Sequence, residues 1–242
     1  MLRSLVFWGS LPWVALQALR VRRDAPRLAA AAGPETGSVG SGPPLRLVAI
    51  GDSIIAGVGA SRLDRALVGR TAEALAATLT RSVEWQAIGR IGIDSGGVLG
   101  ELLARLPEQP VDLFVLSVGV NDVTSLHRTA TWRRNLDALL RAMSAHSPSA
   151  LIAVAGIPPL KGFPLLPQPL RALIGFRGET FDRLARHVVA AHAQAVHVPV
   201  EFETRREAFS SDGFHPSEAS YVEFGRAMAG AVAGAMTERS PP

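Results

Sequence analysis

LRLVAI, residues 45–50, followed at once by Gly51-Asp52-Ser53, is the stretch whose reading decides the fold. An apolar run of this length that stops at a glycine reads as a buried strand delivering a short polar turn to its carboxyl end. The pattern then recurs down the chain. A helical stretch around Leu67–Arg81 leads to the run Val83–Ile88, and a helical stretch Val98–Leu106 leads to Val111–Val118 (VDLFVLSV). Farther on come the amphipathic Trp132–His146, the run Leu151–Gly156, a helical stretch through Phe181–Ala193, the run Val196–Val200, and a last helix over about Ser217–Met236. Near-continuous apolar strands separated by helices predict an α/β fold, a three-layer α/β/α sandwich whose parallel sheet is covered on both faces and joined by right-handed crossovers.

In such a sheet, ligands collect beyond the carboxyl ends of the strands. Four segments at or near those ends carry chemistry: Gly51-Asp52-Ser53, Gly89-Arg90-Ile91-Gly92, Gly119-Val120-Asn121-Asp122, and Asp212-Gly213-Phe214-His215-Pro216, the last just ahead of Ser217 as helix N-cap. Acyl transfer needs a hydroxyl nucleophile, an imidazole base, a carboxylate orienting that base, and donors for a tetrahedral oxyanion. Ser53 offers the hydroxyl and His215 the base. Asp212, three residues before His215, is placed to fix the far ring nitrogen, with Phe214 packing beneath them. The main-chain N–H groups of Ser53 and Gly92, with the Asn121 amide, are the candidate oxyanion hole. Taken singly, each segment is an ordinary Gly/Asn/Asp turn; their conjunction at strand ends carries the catalytic reading.

In order and content these blocks resemble the four motif blocks of the SGNH (GDSL-type) hydrolase family. Gly51-Asp52-Ser53 resembles the nucleophile block, Gly92 the glycine block, Gly119-Val120-Asn121-Asp122 the G-x-N-D block and Asp212-Gly213-Phe214-His215 the D-x-x-H block. The resemblance covers about residues 45–238 and implies a flavodoxin-like SGNH hydrolase fold, cleavage of esters or thioesters (esterase or lysophospholipase-like), and no metal or cofactor. It also implies an architectural role for Asp52, which holds the turn. Two positions depart from the family pattern: Ile54 replaces a leucine, and Gly89 stands where many relatives carry a polar residue. Two other readings keep the same residues. One is transfer of the acyl group to a sugar or lipid hydroxyl, and the other is a non-catalytic, membrane-anchored binding protein on a degenerate hydrolase fold.

Composition narrows the classes further. With 242 residues, 48% hydrophobic and 19% charged, the chain is globular, and disorder over its length is excluded. The absence of cysteine removes disulfides, Cys-ligated zinc, iron–sulfur clusters and a thiol nucleophile. The net charge of +4 resides wholly in residues 1–46, where six arginines face two acids. The remainder is balanced, with Lys161 the one lysine, so no basic groove for nucleic acid is expected. No phosphate-binding G-x-x-x-x-G-K-[ST] loop is present. His187 and His192 are five residues apart, not the four that align ligands on a helix, and His127, His146 and His197 stand outside the motif blocks.

Leu5–Leu19 (LVFWGSLPWVALQAL) is an apolar run with Arg3 before it and Arg20, Arg22 and Arg23 after it. Denser positive charge behind the run disfavours export. Trp8 and Trp13 suit a lipid–water interface and the arginines suit anionic headgroups. Residues 1–32 therefore read as a candidate membrane anchor at the cytoplasmic face; the alternatives are a signal peptide cleaved near Ala29–Ala32 and a helix packed on the body. Residues 33–44 (GPETGSVGSGPP) read as a linker. Ile157–Phe176, with five prolines among Leu, Ile and Phe, follows a strand end and is expected to overhang the site as an acyl-binding wall, a membrane-facing lip or a loop packed on the body. The expected partner is a small-molecule or lipid ester substrate, and nothing in the sequence specifies an oligomeric state.

Overall fold

The computed structural model describes residues 2–200 and 205–239, with side chains from residue 13 onward. Six strands form one sheet in the order β1-β3-β2-β4-β5-β6. They are β1 (Thr36–Val39), β2 (Pro44–Gly51), β3 (Ser82–Gly89), β4 (Leu113–Ser117), β5 (Leu151–Ala155) and β6 (Ala195–Val198). All neighbours run parallel except β1, which pairs antiparallel with β3. The helices are α1 (Leu2–Asp24), α2 (Leu67–Leu79), α3 (Ser95–Gly97), α4 (Val120–Thr124), α5 (Thr129–His146), α6 (Leu170–Ala190) and α7 (Glu218–Arg239).

Alternation along the strands builds two cores, because successive side chains point to opposite faces. Leu113 and Val115 of β4 pack with α2 and α7 residues such as Leu75, Tyr221 and Met228. Phe114 and Leu116 pack with Trp132 and Leu139 of α5 and Phe181 of α6. Since both faces are covered, β4 and β5 are buried at every position, which is why they read as continuous apolar runs. The three-layer α/β/α expectation is met.

Three local expectations are revised. Within the stretch 33–44 read as a linker, Thr36–Val39 is an edge strand, pairing Gly37 with Trp85. A Cβ on Gly37 would lie 2.4 Å from the Trp85 ring, so the residue that erased the apolar pattern is the one that lets the indole cover the strand. Backbone pairing, with no apolar side-chain pattern, holds this segment. Val98–Leu106 is helical but not regular: α3 runs into a π turn at Val98–Leu102 and a 3₁₀ turn at Leu103–Arg105. Gly96, Gly97 and Gly100 deprive it of helix propensity. The helix expected through Phe181–Ala193 begins earlier, at Leu170. Gly175 and Gly178 hide this start from the sequence, and each is glycine because the Leu160–Gly162 turn packs against it. A Cβ at Gly175 would sit 2.7 Å from the Lys161 side chain, and one at Gly178 3.0 Å from Leu160.

The chain leaves β2 for β3 on one side and later returns to β4 on the other. The order reversal falls at the carboxyl end of β2, where Gly51 is in register with both Gly89 and Ser117. That is the topological switch point, and Ser53 lies two residues beyond it.

Candidate active site

Gly51 ends β2 at φ +150°, and a Cβ there would lie 1.9 Å from the Ser117 carbonyl oxygen. Only glycine lets β2 and β4 close up at this point, and the chain then turns sharply. Asp52 locks the turn. Its buried carboxylate accepts hydrogen bonds from the Ile54 N–H (3.1 Å) and the Ser117 hydroxyl (3.0 Å). Burial pushes its pKa up to about 6, with the two hydrogen bonds and the nearby His215 pulling the other way. The architectural role implied for Asp52 is the one its contacts describe.

Residues 53–61 are stapled to residues 215–221, far apart in sequence. The Tyr221 hydroxyl donates to the Val58 carbonyl at 2.7 Å, and the Val58 N–H donates to the Ser53 carbonyl at 3.0 Å. Glu218 accepts from both the N–H and the hydroxyl of Ser61, at 2.8 and 2.7 Å. Gly59, at φ +98°, admits the Pro216 carbonyl where a Cβ would meet it at 2.1 Å. Ser217 caps α7 by accepting from the Ser220 N–H at 3.3 Å, as its place in the sequence suggested.

These staples bring the expected residues together. The Ser53 hydroxyl lies 2.8 Å from His215 Nε2, and His215 Nδ1 lies 2.6 Å from Asp212 Oδ2. The other carboxylate oxygen, Oδ1, accepts from the Ser210 hydroxyl (2.8 Å), the Phe214 N–H (2.9 Å) and the His215 N–H (3.0 Å). Burial alone would raise the Asp212 pKa. The hydrogen bond from His215, then those from the two N–H groups and Ser210, outweigh it and hold the carboxyl well below the usual range. Phe214 packs edge-on against the His215 ring at 5.3 Å, beside the imidazole.

The oxyanion candidates border the same cavity as Ser53 and His215. Among the described residues, neither the Ser53 nor the Gly92 N–H has an acceptor. Gly92 takes φ +76°, a left-handed conformation in which any side chain would be strained. Asn121 spends one amide hydrogen on the Ile93 carbonyl at 2.8 Å, which leaves its second N–H to point elsewhere. Asp122, fully buried, fastens the neighbouring segment by accepting from the N–H (2.9 Å) and hydroxyl (2.5 Å) of Ser95. Gly89 is explained by space, since a Cβ would lie 2.3 Å from the Ala56 nitrogen.

The cavity is about 140 Å³, and beyond the polar residues its lining is apolar: Ile54, Val118, Val120, Pro158, Phe163, Phe214 and Phe224 among others. Sequence reasoning anticipated the Pro-rich contribution through Pro158 and Phe163. Elsewhere in that segment Leu160, Leu166 and Leu170 are buried against the body, while Phe176 is 69% exposed. It missed Phe224, which enters from α7, and Ser210 and Ser117, which orient the two carboxylates; serine in a loop carries no sequence signal for such a task. Three histidines outside the motif blocks have carboxylate partners: His127 with Asp122 and Asp94, His192 with Asp137, and His197 with Asp182. Among the described residues no group of three or more His, Asp and Glu side chains is arranged to hold a metal ion.

Comparison with known proteins bears on the family and the fold. Residues 49–222 match the model of the GDSL-like Lipase/Acylhydrolase family. A GDSL-like esterase of Mycobacterium tuberculosis is 30% identical over 205 residues; the match covers 81% of this chain and 64% of that protein. The chain thus spans less than two thirds of that relative's length. In fold it is similar to a lipase from a goat rumen metagenome (TM-score 0.63, 19% identity, covering 79% of this chain and 97% of that one). It is also similar to a family 3 carbohydrate esterase of Clostridium thermocellum (TM-score 0.64, 16% identity, covering 81% and 100%). With the matched region running from inside β2 into α7, and so taking in all four blocks, this chain belongs to the GDSL-like lipase/acylhydrolase family.

Proposed function

We propose that the chain is a serine hydrolase that cleaves carboxylic esters, with Ser53 as nucleophile, His215 as general base and acid, and Asp212 as the group that orients and charges the imidazole. The observation that carries this reading is the unbroken relay Ser53–His215–Asp212, with hydrogen bonds of 2.8 and 2.6 Å. Both fall within the reach that proton transfer requires. Family membership and the esterase relative support it.

In the proposed reaction Ser53 Oγ attacks the ester carbonyl carbon as His215 Nε2 takes its proton. Asp212, held as an anion by its donors, stabilises the imidazolium. The carbonyl oxygen becomes an oxyanion facing the N–H groups of Ser53 and Gly92 and the second N–H of Asn121. Each such donor is worth roughly 2.7–4 kcal/mol in comparable sites. Collapse expels the alcohol, which leaves with the proton from His215, and the acyl group remains on Ser53. Water, deprotonated by His215, then attacks the acyl-enzyme, and the acid departs as Ser53 regains its proton. The apolar cavity wall, which among the described residues has no basic side chain apart from His215, suits an uncharged aliphatic acyl group. Ser53→Ala is expected to abolish both hydrolysis of nitrophenyl esters and labelling by a fluorophosphonate probe. Turnover or labelling that survives the substitution refutes the assignment.

A further inference from the structure

Five of the residues on α1 beyond position 12 form one outward face that the fold leaves bare. On a helix advancing about 100° per residue, Trp13, Leu16, Leu19, Arg20 and Arg23 fall within a third of the circumference. Trp13, Leu16 and Leu19 are 52%, 40% and 64% exposed, which places half of the six exposed large hydrophobic residues of the described chain on this one helix. The Arg20 guanidinium lies over the Trp13 ring at 5.9 Å. The opposite stripe does the docking: Val14 and Val21 pack on the core, and buried Gln17 donates to the Gln168 carbonyl (2.7 Å) and accepts from the Leu170 N–H (3.3 Å). Trp8 and the other side chains up to residue 12 lie outside the described residues.

A helix that turns its polar glutamine inward and its tryptophan and leucines outward is inverted for a surface facing water. We infer that this outward face of α1 binds the surface of an anionic lipid bilayer, lying in the plane of the headgroups. Trp13, Leu16 and Leu19 enter the apolar boundary, Arg20 and Arg23 meet the anionic headgroups, and exposed Arg22 adds its charge from the flank, about 60° beyond the edge of the face. Charge favours this occupant: the entire positive excess of the chain lies in residues 1–46, while the rest is balanced. Crossing the bilayer is a separate matter, since no helix among the described residues is long and apolar enough to do so. Geometry gives the contact a purpose. Gln17 fastens α1 to residues 168–170, the end of the segment whose Pro158 and Phe163 wall the cavity, and Leu165 of that segment donates to the Gly213 carbonyl in the catalytic loop. A bilayer seated on α1 is thereby linked, through this one segment, to residues that wall the acyl site.

The test is co-sedimentation of the full chain with vesicles of phosphatidylcholine alone and of phosphatidylcholine with phosphatidylglycerol. Trp13→Ser/Leu16→Ser/Leu19→Ser and Arg20→Gln/Arg22→Gln/Arg23→Gln are compared with the parent chain. The expected result is binding to the anionic vesicles that weakens with salt. The apolar triple variant loses at least tenfold in partitioning, and the arginine variant loses about fivefold per charge removed. Hydrolysis of a soluble short-chain nitrophenyl ester is expected to stay within twofold of the parent in both variants, which separates this surface from the catalytic assignment. The inference is overturned if the parent chain stays in the supernatant with anionic vesicles or if the apolar variant sediments as the parent does. It is equally overturned if light scattering shows a dimer that the apolar variant dissociates, which would give the face to a second copy of the chain.

Discussion

Replacing Asp212 by asparagine tests the relay more sharply than deleting the nucleophile, because the structure dictates which way the new amide must face. Oδ1 of Asp212 accepts from three donors, Ser210 Oγ and the N–H groups of Phe214 and His215. An amide NH₂ cannot occupy that position, since it would point hydrogens at two fixed N–H groups. The carbonyl of the asparagine must therefore take the Oδ1 place, and its NH₂ must take the Oδ2 place, 2.6 Å from His215 Nδ1. There it donates to Nδ1 and forces the ring proton onto Nε2, the nitrogen that faces Ser53 Oγ at 2.8 Å. A protonated Nε2 cannot accept the serine proton, and no carboxylate remains to stabilise an imidazolium. The equivalent change in a serine protease lowers kcat about 10⁴-fold, which is about 5 kcal/mol of barrier. Asp212→Asn is expected to fall by a similar factor in kcat on a nitrophenyl ester with KM near the parent's; it keeps the three loop contacts but gives up the stabilisation of the anion, so its urea unfolding midpoint at neutral pH falls below the parent's. Asp212→Ala, which abandons those contacts as well, should lose stability in addition. An asparagine variant that retains more than a tenth of parental kcat would refute the tautomer argument and, with it, the role assigned to Asp212.

Three further outcomes follow from the same geometry. Asn121→Ala removes one oxyanion donor and is expected to cost about 10²–10³ in kcat with little change in KM; a loss below tenfold in steady-state kinetics would take Asn121 out of the oxyanion hole. Phe163→Ala enlarges the acyl wall and should move the optimum in a nitrophenyl ester series toward longer chains, while costing about 3–5 kcal/mol of stability because the ring is buried against Phe209 and Phe214; an unaltered chain-length profile in a variant shown to be folded would remove the segment from the acyl site. Asp52→Asn keeps an oxygen for the Ile54 N–H and the Ser117 hydroxyl, so its effect should appear in the pH dependence of stability, measured by urea unfolding between pH 4 and pH 7; a slope there as steep as the parent's would show that Asp52 does not titrate in that window.

Much of this was legible in the residues, for a physical reason. Strands buried on both faces must be apolar along their whole length, so β4 and β5 announced themselves, while β2 and β3 stood out through the apolar residues at their buried positions, and each motif block followed a strand or preceded a helix with a glycine marking the turn. What the sequence concealed lay where backbone geometry, with little help from side-chain pattern, sets the structure. Gly37 beneath Trp85 disguised an edge strand as a linker, and Gly175 and Gly178 disguised the first turns of α6 as loop, because a glycine chosen for close approach looks the same as one chosen for flexibility. The contacts that bring Ser53 to His215 were hidden for another reason. Tyr221 on Val58, Glu218 on Ser61 and the Pro216 carbonyl against Gly59 are single long-range contacts, and neither end carries a periodicity that points to its partner. The histidines illustrate the converse. His127, His192 and His197 each have an aspartate partner, yet among the described residues only His215 has an aspartate on one ring nitrogen and a serine hydroxyl on the other.

Asp52 and Asp212 are two carboxylates near one imidazole, and their surroundings divide the labour between them. Both are buried side chains, but Asp212 is encircled by donors that favour its anion, whereas Asp52 has fewer donors to offset its burial and is pushed up to about 6. The consequences for stability have opposite signs. A carboxyl held below its unfolded value binds fewer protons when folded, so Asp212 stabilises the fold above about pH 4 and loses that contribution as the pH falls through its folded pKa. Asp52 binds its proton more tightly when folded, so its protonated form favours the fold, and stability declines as the pH rises from about 4 to about 6. Completing that ionisation costs about 3 kcal/mol, at 1.36 kcal/mol per pKa unit over the interval between 3.8 and about 6. The same carboxylate ties β2 to β4 through Ser117 and fixes the turn that carries Ser53, which offsets this cost. The proposed mechanism needs a carboxylate that remains an anion across the working pH range to hold His215 in the tautomer that accepts a proton from serine, and of the two it is Asp212 whose surroundings favour the anion.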